Sequence, residues 1–110
     1  MRVYLSGPIT GHGTAAADFD RAWREARDSD PSAEIINPLD IDPGHPEKCL
    51  PGYGPGTGGH TSSCHMRADL AELLRCDRIH MLPGWSKSRG ATVEQAVAVA
   101  IGLEITGAAS

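Results

Sequence analysis

The sequence predicts an α/β domain, a three-layer sandwich built on a parallel sheet of four to five strands. Three observations lead there. Short β-branched and aromatic runs alternate with longer segments of helical period, as a parallel sheet with crossover helices requires. Gly, Pro or Asn punctuates each run. The chain of 110 residues, with no internal repeat and no sign of a second domain, suits one domain over residues 1–110 with a single core.

The elements follow in order. "RVYLSG" (2–7) reads as a strand ended by Gly7-Pro8. "AAADFDRAWREARDSD" (15–30) spaces Phe19, Trp23 and Ala26 at three- and four-residue intervals, an amphipathic helix. "AEIINP" (33–38) is a second strand, stopped by Asn37-Pro38. "PGHPEKCLPGYGPGTGG" (43–59) cannot be helix, and it makes a long Gly/Pro-rich loop of about 43–62. "SSCHMRADLAELLRCD" (62–77) sets Met66, Leu70, Leu73 and Leu74 on one helical face, with Ser62 or Ser63 as N-cap. "RIHMLPG" (78–84) is the third strand. "GATVEQAVAVAIG" (90–102) is a helix apolar on most sides and therefore expected to be buried, and "LEIT" (103–106) is a last edge strand. In such sheets ligands bind beyond the carboxyl ends of the strands, where strand order reverses. The turns at that edge are "SGPITG", "NPLDIDPG" and "PGWSKSRG".

Composition narrows the partners. A net charge of -4 argues against a nucleic-acid polymer. No apolar stretch is long enough to span a bilayer, and the N-terminus reads as a strand rather than a signal peptide. The expectation is a cytoplasmic protein acting on a small molecule. The apolar helix from Thr92 to Gly102 exceeds what one face of a small sheet needs, which predicts a homodimer or higher homo-oligomer.

Three side chains stand out at the carboxyl edge. Glu94 lies in the opening turns of its helix, behind "SKSRGA", whose hydroxyls and backbone N–H groups suit a phosphate. Its plainer reading is an acid that complements the helix dipole. Asp69 lies at the edge of a buried face near its helix start, and otherwise reads as a solvated helix acid. Tyr4 is either simple core or a buried hydroxyl in need of a partner, for which a carboxylate is suited.

"VYLSGPITG", "MRADLAELLRCDRIHML" and "SRGATVEQAVAVAIG" together resemble the nucleoside 2-deoxyribosyltransferase superfamily, over about two-thirds of the chain and without residues 43–62. The layout is also similar to that of small phage proteins, and "LPGWSKSRGATVEQ" is similar to the turn of the cytokinin-activating phosphoribohydrolases. The resemblance implies a Rossmann/flavodoxin-like sheet, with Tyr4, Asp69, Cys76-Asp77 and Glu94 in the superfamily's order. It implies Glu94 as nucleophile, Asp69 as proton donor to the leaving base and Tyr4 as the residue that orients Glu94. Six residues before the nucleophile the transferases carry Asp, whereas the nucleoside 5'-monophosphate N-glycosidases carry a Ser that holds the 5'-phosphate; this chain has Ser88. By the same resemblance Ser6, Gly7, Ile9, Thr10 and Gly11 form one phosphate- and sugar-contacting turn, and Ser88, Arg89 and Gly90 the other. Thr10 stands where the monophosphate enzymes often carry Arg, and Arg89 or Lys87 would supply that charge.

The implied activity is cleavage of the base–sugar bond of a nucleoside or deoxynucleoside 5'-monophosphate, through a covalent glycosyl-enzyme and without a cofactor. The alternatives are a nucleoside 2-deoxyribosyltransferase and a non-catalytic nucleotide-binding module. The loop has two readings of its own. One is a lid whose His residues and Tyr53 contact the base and which orders over the filled site. The other is a zinc site made by Cys49, His60, Cys64 and His65, whose spacing lacks a CxxC pair.

Overall fold

The computed structural model describes residues 1–9, 11–41 and 62–110. Within them, strand β1 (Arg2–Ser6) leads to helix α1 (Ala15–Ser29), strand β2 (Glu34–Ile36), helix α2 (Ser62–Leu73), strand β3 (Arg78–Met81), helix α3 (Arg89–Ala100) and strand β4 (Glu104–Gly107). Short 3-10 turns follow β2 and β3, at Pro38–Asp40 and Trp85–Lys87. Asn37 starts the first of these, its side chain accepting from the Leu39 N–H at 3.0 Å. No helix among the described residues is long and apolar enough to cross a membrane.

The sheet has the order β2-β1-β3-β4, and every pairing is parallel. The chain therefore leaves β1 in one direction and later returns past it in the other. Crossovers of one hand then place their helices on opposite faces. The packing agrees: Phe19 and Ala22 of α1 meet Leu5 and Leu82 on one face, while Leu73 of α2 and Ala98 of α3 meet Tyr4, Ile79 and Met81 on the other. This is the expected three-layer sandwich, with four strands among the described residues. The order reverses between β1 and β3, so the crevice for a ligand opens there.

Strand period explains which β1 residues reach which layer. Val3 and Leu5 face α1, whereas Tyr4 and Ser6 face α2 and α3. Two glycines are enforced by close approach. A Cβ on Gly7 would stand 2.7 Å from the Cβ of Leu82, and one on Gly107, at φ +95°, would overlap the backbone of Met81.

Among the described residues no helix covers the far half of the α1 face, and there the strands are polar. Arg78 pairs with Glu104 at 3.0 Å, and His80 shares a 2.9 Å hydrogen bond with Thr106. Neighbouring strands thus pair polar side chains across a half-buried face.

Two expectations about packing are corrected. Leu74 is not a core residue; it is 59% exposed, because α2 ends at Leu73 and the chain turns away. Helix α3 is not buried on most sides. It buries the stripe Ala91, Glu94 and Ala98 and leaves Val93 and Val99 outward, with Ile101 and Ile105 exposed nearby. Apolar content alone does not say which sides of a helix have neighbours.

Candidate active site

Glu94 lies at the centre of the buried stripe of α3, three residues after Ala91 and four before Ala98. The two alanines let the helix approach the sheet closely, and the carboxylate between them reaches β1. There both of its oxygens find donors. The Tyr4 hydroxyl donates to Oε2 at 2.6 Å, and the Ser6 hydroxyl donates to Oε1 at 2.8 Å. Tyr4 and Ser6 are fully buried and Glu94 is 5% exposed. A buried carboxylate without partners costs several kcal/mol, and these two donors offset that cost.

Helix α3 begins at Arg89, so Glu94 is its sixth residue and no acid occupies the first turn. The dipole explanation for Glu94 therefore falls away, since that effect fades within one turn. Asp69 is likewise well past the start of α2, on the stripe Met66, Asp69, Leu70 and Leu73 that turns toward the core. Its neighbour across the gap is Glu94.

The electrostatics follow from this enclosure. Burial, with the Glu94 charge adding to it, pushes Asp69 up to about 7. No hydrogen-bond donor among the described residues reaches Asp69. Burial also raises Glu94 above the usual carboxylate range, and the Tyr4 and Ser6 hydroxyls pull it back down. Tyr4 is driven far up by burial and by the charge of Glu94, so it stays a phenol and a donor at any working pH. Two neighbouring acids with unequal support share protons unequally, which suits one to accept bonds or attack and the other to donate a proton.

The other sequence-predicted residues take varied places. Ser6, expected in the substrate turn, is instead a partner of Glu94. Gly7 packs on Leu82, and Gly11 adopts φ +70° in a turn where the His12 N–H donates to the Ile9 carbonyl at 3.1 Å. Ser88 is the N-cap of α3, its hydroxyl accepting from the Ala91 N–H at 3.2 Å. Arg89 is exposed at the helix start, and a Cβ on Gly90 would be in ordinary contact with Met66, at 3.5 Å. Asp77 lies at the opposite, amino edge of the sheet, where it accepts from the Arg2 backbone N–H at 2.8 Å. Cys76 is buried in the core beneath Tyr4.

Thr10, the 43–61 part of the loop and its Cys49, Tyr53 and His60 lie outside the described residues. Cys64 and His65 are on α2, and among the described residues no group of three His, Cys, Asp or Glu is placed to hold a metal ion. A groove of about 490 Å³ at the β2 edge includes Arg2, Glu34 and Glu72, but its charges are already paired with one another and it does not include Glu94. The arrangement at the strand-order reversal is the better candidate, because buried acids of perturbed proton affinity mark functional sites.

A cluster of three polar residues escaped the sequence reading. At the carboxyl edge, His12, Thr14 and Asp18 form a small exposed network, with Asp18 held low by the Thr14 hydroxyl and by His12. The spacing of Thr14 and Asp18 across a helix start was the available signal.

Residues 1–107 match the model of a family described as a domain of unknown function, DUF4406. No curated protein and no solved structure matches the chain.

Proposed function

The chain belongs to the DUF4406 family, and we propose that its carboxylate pair, Glu94 buried and Asp69 half-buried, is the active site of a nucleotide N-glycosidase. The observation that carries this reading is Glu94, 5% exposed yet held by two hydroxyls at the point where strand order reverses, with a second acid close by. A binding module has no use for a pair of neighbouring acids at the strand-order reversal; a glycosidase needs one acid to attack and one to protonate the leaving group.

In the proposed reaction a Glu94 oxygen bonds to the anomeric carbon as the carbon–nitrogen bond breaks. The bonding electrons go to the base, and the Asp69 proton follows them. Water then adds to the same carbon, displacing Glu94 and returning a proton to Asp69. A second base in place of water, its ring nitrogen bonding to the same carbon as Glu94 leaves, would make the same site a deoxyribosyltransferase. The 5'-monophosphate is the proposed form of the substrate, because Ser88, Arg89 and the N–H groups at the start of α3 can receive an anion there. A homodimer in the cytoplasm belongs to the same reading, supported by the outward Val93, Val99, Ile101 and Ile105.

The test is a panel of nucleosides and their 5'-monophosphates, ribose and deoxyribose, with free base followed by chromatography. Release from a monophosphate is expected, and Glu94→Gln is expected to lower it by about a thousandfold or more, since the nucleophile is lost. Unchanged turnover by Glu94→Gln would exclude the mechanism.

A further inference from the structure

Tyr4 and Ser6 are two residues apart on β1, and that strand period brings both hydroxyls to the face where α3 passes. They divide the Glu94 carboxylate between them, one oxygen each, at 2.6 and 2.8 Å. Ser6 is 0% exposed, so its hydroxyl is enclosed with the carboxylate and is not offered to solvent. Asp69, facing the same space from α2, has no such donor among the described residues. The pair is therefore asymmetric by construction.

We propose that Ser6 is a positioning residue of this site: its hydroxyl fixes the plane of the Glu94 carboxylate and keeps Glu94 ionised, so that the proton shared by the two acids resides on Asp69. Each carboxylate oxygen has a second lone pair, so Glu94 bound by both hydroxyls still has an open direction for bonding. With Tyr4 alone, one oxygen would be held and the plane could turn about the carbon–carboxyl bond. Neither hydroxyl titrates in the working range, so their support of Glu94 is the same throughout, and Glu94 ionises before Asp69 gives up its proton at about pH 7. Among the described residues the groups around Glu94 are few: Tyr4 and Ser6 from β1, Asp69 from α2, with Cys76, Ile79 and Met81 packed about Tyr4. No cation among them could do the same work. The protonation split stands on this geometry, and only its catalytic consequence rests on the glycosidase reading.

The experiment is titration of the Glu94 and Asp69 carboxyl carbons by NMR, in the free protein and in Ser6→Ala and Ser6→Thr. In Ser6→Ala the Glu94 midpoint is expected to rise by about one pH unit, a tenfold gain in proton affinity, and Ser6→Thr is expected to return it. Where Ser6→Ala does not fold, Ser6→Cys, near in volume and a weak donor, is expected to give a smaller rise in the same direction. An unmoved Glu94 midpoint overturns the proposal, and so does a rise that Ser6→Thr fails to reverse. Base release measured against pH on the same proteins separates the two levels. If the midpoints move as expected but no substrate is cleaved, Ser6 keeps its role and the glycosidase reading is lost.

Discussion

Replacing Asp69 by Asn is expected to stabilise the domain at neutral pH while abolishing its proposed chemistry. An ordinary aspartate titrates near 3.8, and burial with the Glu94 charge pushes Asp69 up to about 7. An acid whose folded proton affinity is raised stabilises the native state most below its unfolded midpoint and loses that contribution as pH rises through the folded one. The window therefore runs from about pH 4 to about pH 7. About three pH units at about 1.4 kcal/mol each set a ceiling of about 4 kcal/mol. Asp69 is only partly enclosed, and water screening reduces this to on the order of 2 kcal/mol. That is a large share of the 5–15 kcal/mol typical of a small domain, and about 8 °C in melting temperature. Asn keeps the shape and never ionises. Urea unfolding of both proteins at pH 8 and pH 4 is the assay: the variant is expected to be more stable by about 2 kcal/mol at pH 8 and nearly equal at pH 4. A variant no more stable than the parent at pH 8 would refute the picture of a destabilised buried acid.

Ser88→Ala removes the α3 N-cap and is expected to cost about 1 kcal/mol in thermal unfolding. In the nucleotide panel it is also expected to reduce the preference for monophosphates about tenfold; a lower melting temperature with unchanged preference would leave Ser88 as a cap alone. Gly107→Ala is expected to lose about 3 kcal/mol or more in denaturant unfolding, because the new methyl group meets Met81 at a positive φ. Sedimentation at micromolar concentration is expected to show a dimer that Val99→Glu converts to monomer, and a monomeric parent protein would remove the assembly from the proposal.

The fold was legible because each strand is a short run bounded by Gly, Pro or Asn and the segments between them are long enough for helices, with Phe19 and Trp23 giving the first its period. Tyr4, Asp69 and Glu94 could be singled out because a polar group on an otherwise apolar stripe needs a reason, and the structure brings all three together. Ser6 was harder. A serine at a strand end followed by Gly-Pro fits a substrate turn as well as a buried contact, and only its partner 88 residues away decides between them. The neighbours of α3 were illegible for a related reason: Val and Ala on every side give no period to orient the helix. Ser88 shows the reverse case, since a serine before a helical run can be an N-cap whatever else its hydroxyl does.

The contacts that assemble the site are also the most widely separated side-chain hydrogen bonds among the described residues. The hydroxyls of Tyr4 and Ser6 meet Glu94 across separations of 90 and 88 residues, from the first strand to the last helix. Closing so wide a loop yields no reward until the intervening sheet is in register. A partly folded chain can have α1, β1 and β2 in place and still lack a supported carboxylate. The proposed chemistry at Glu94 is thus withheld until the whole architecture exists, so base release in the nucleotide panel would report completion of folding as well as the presence of its residues.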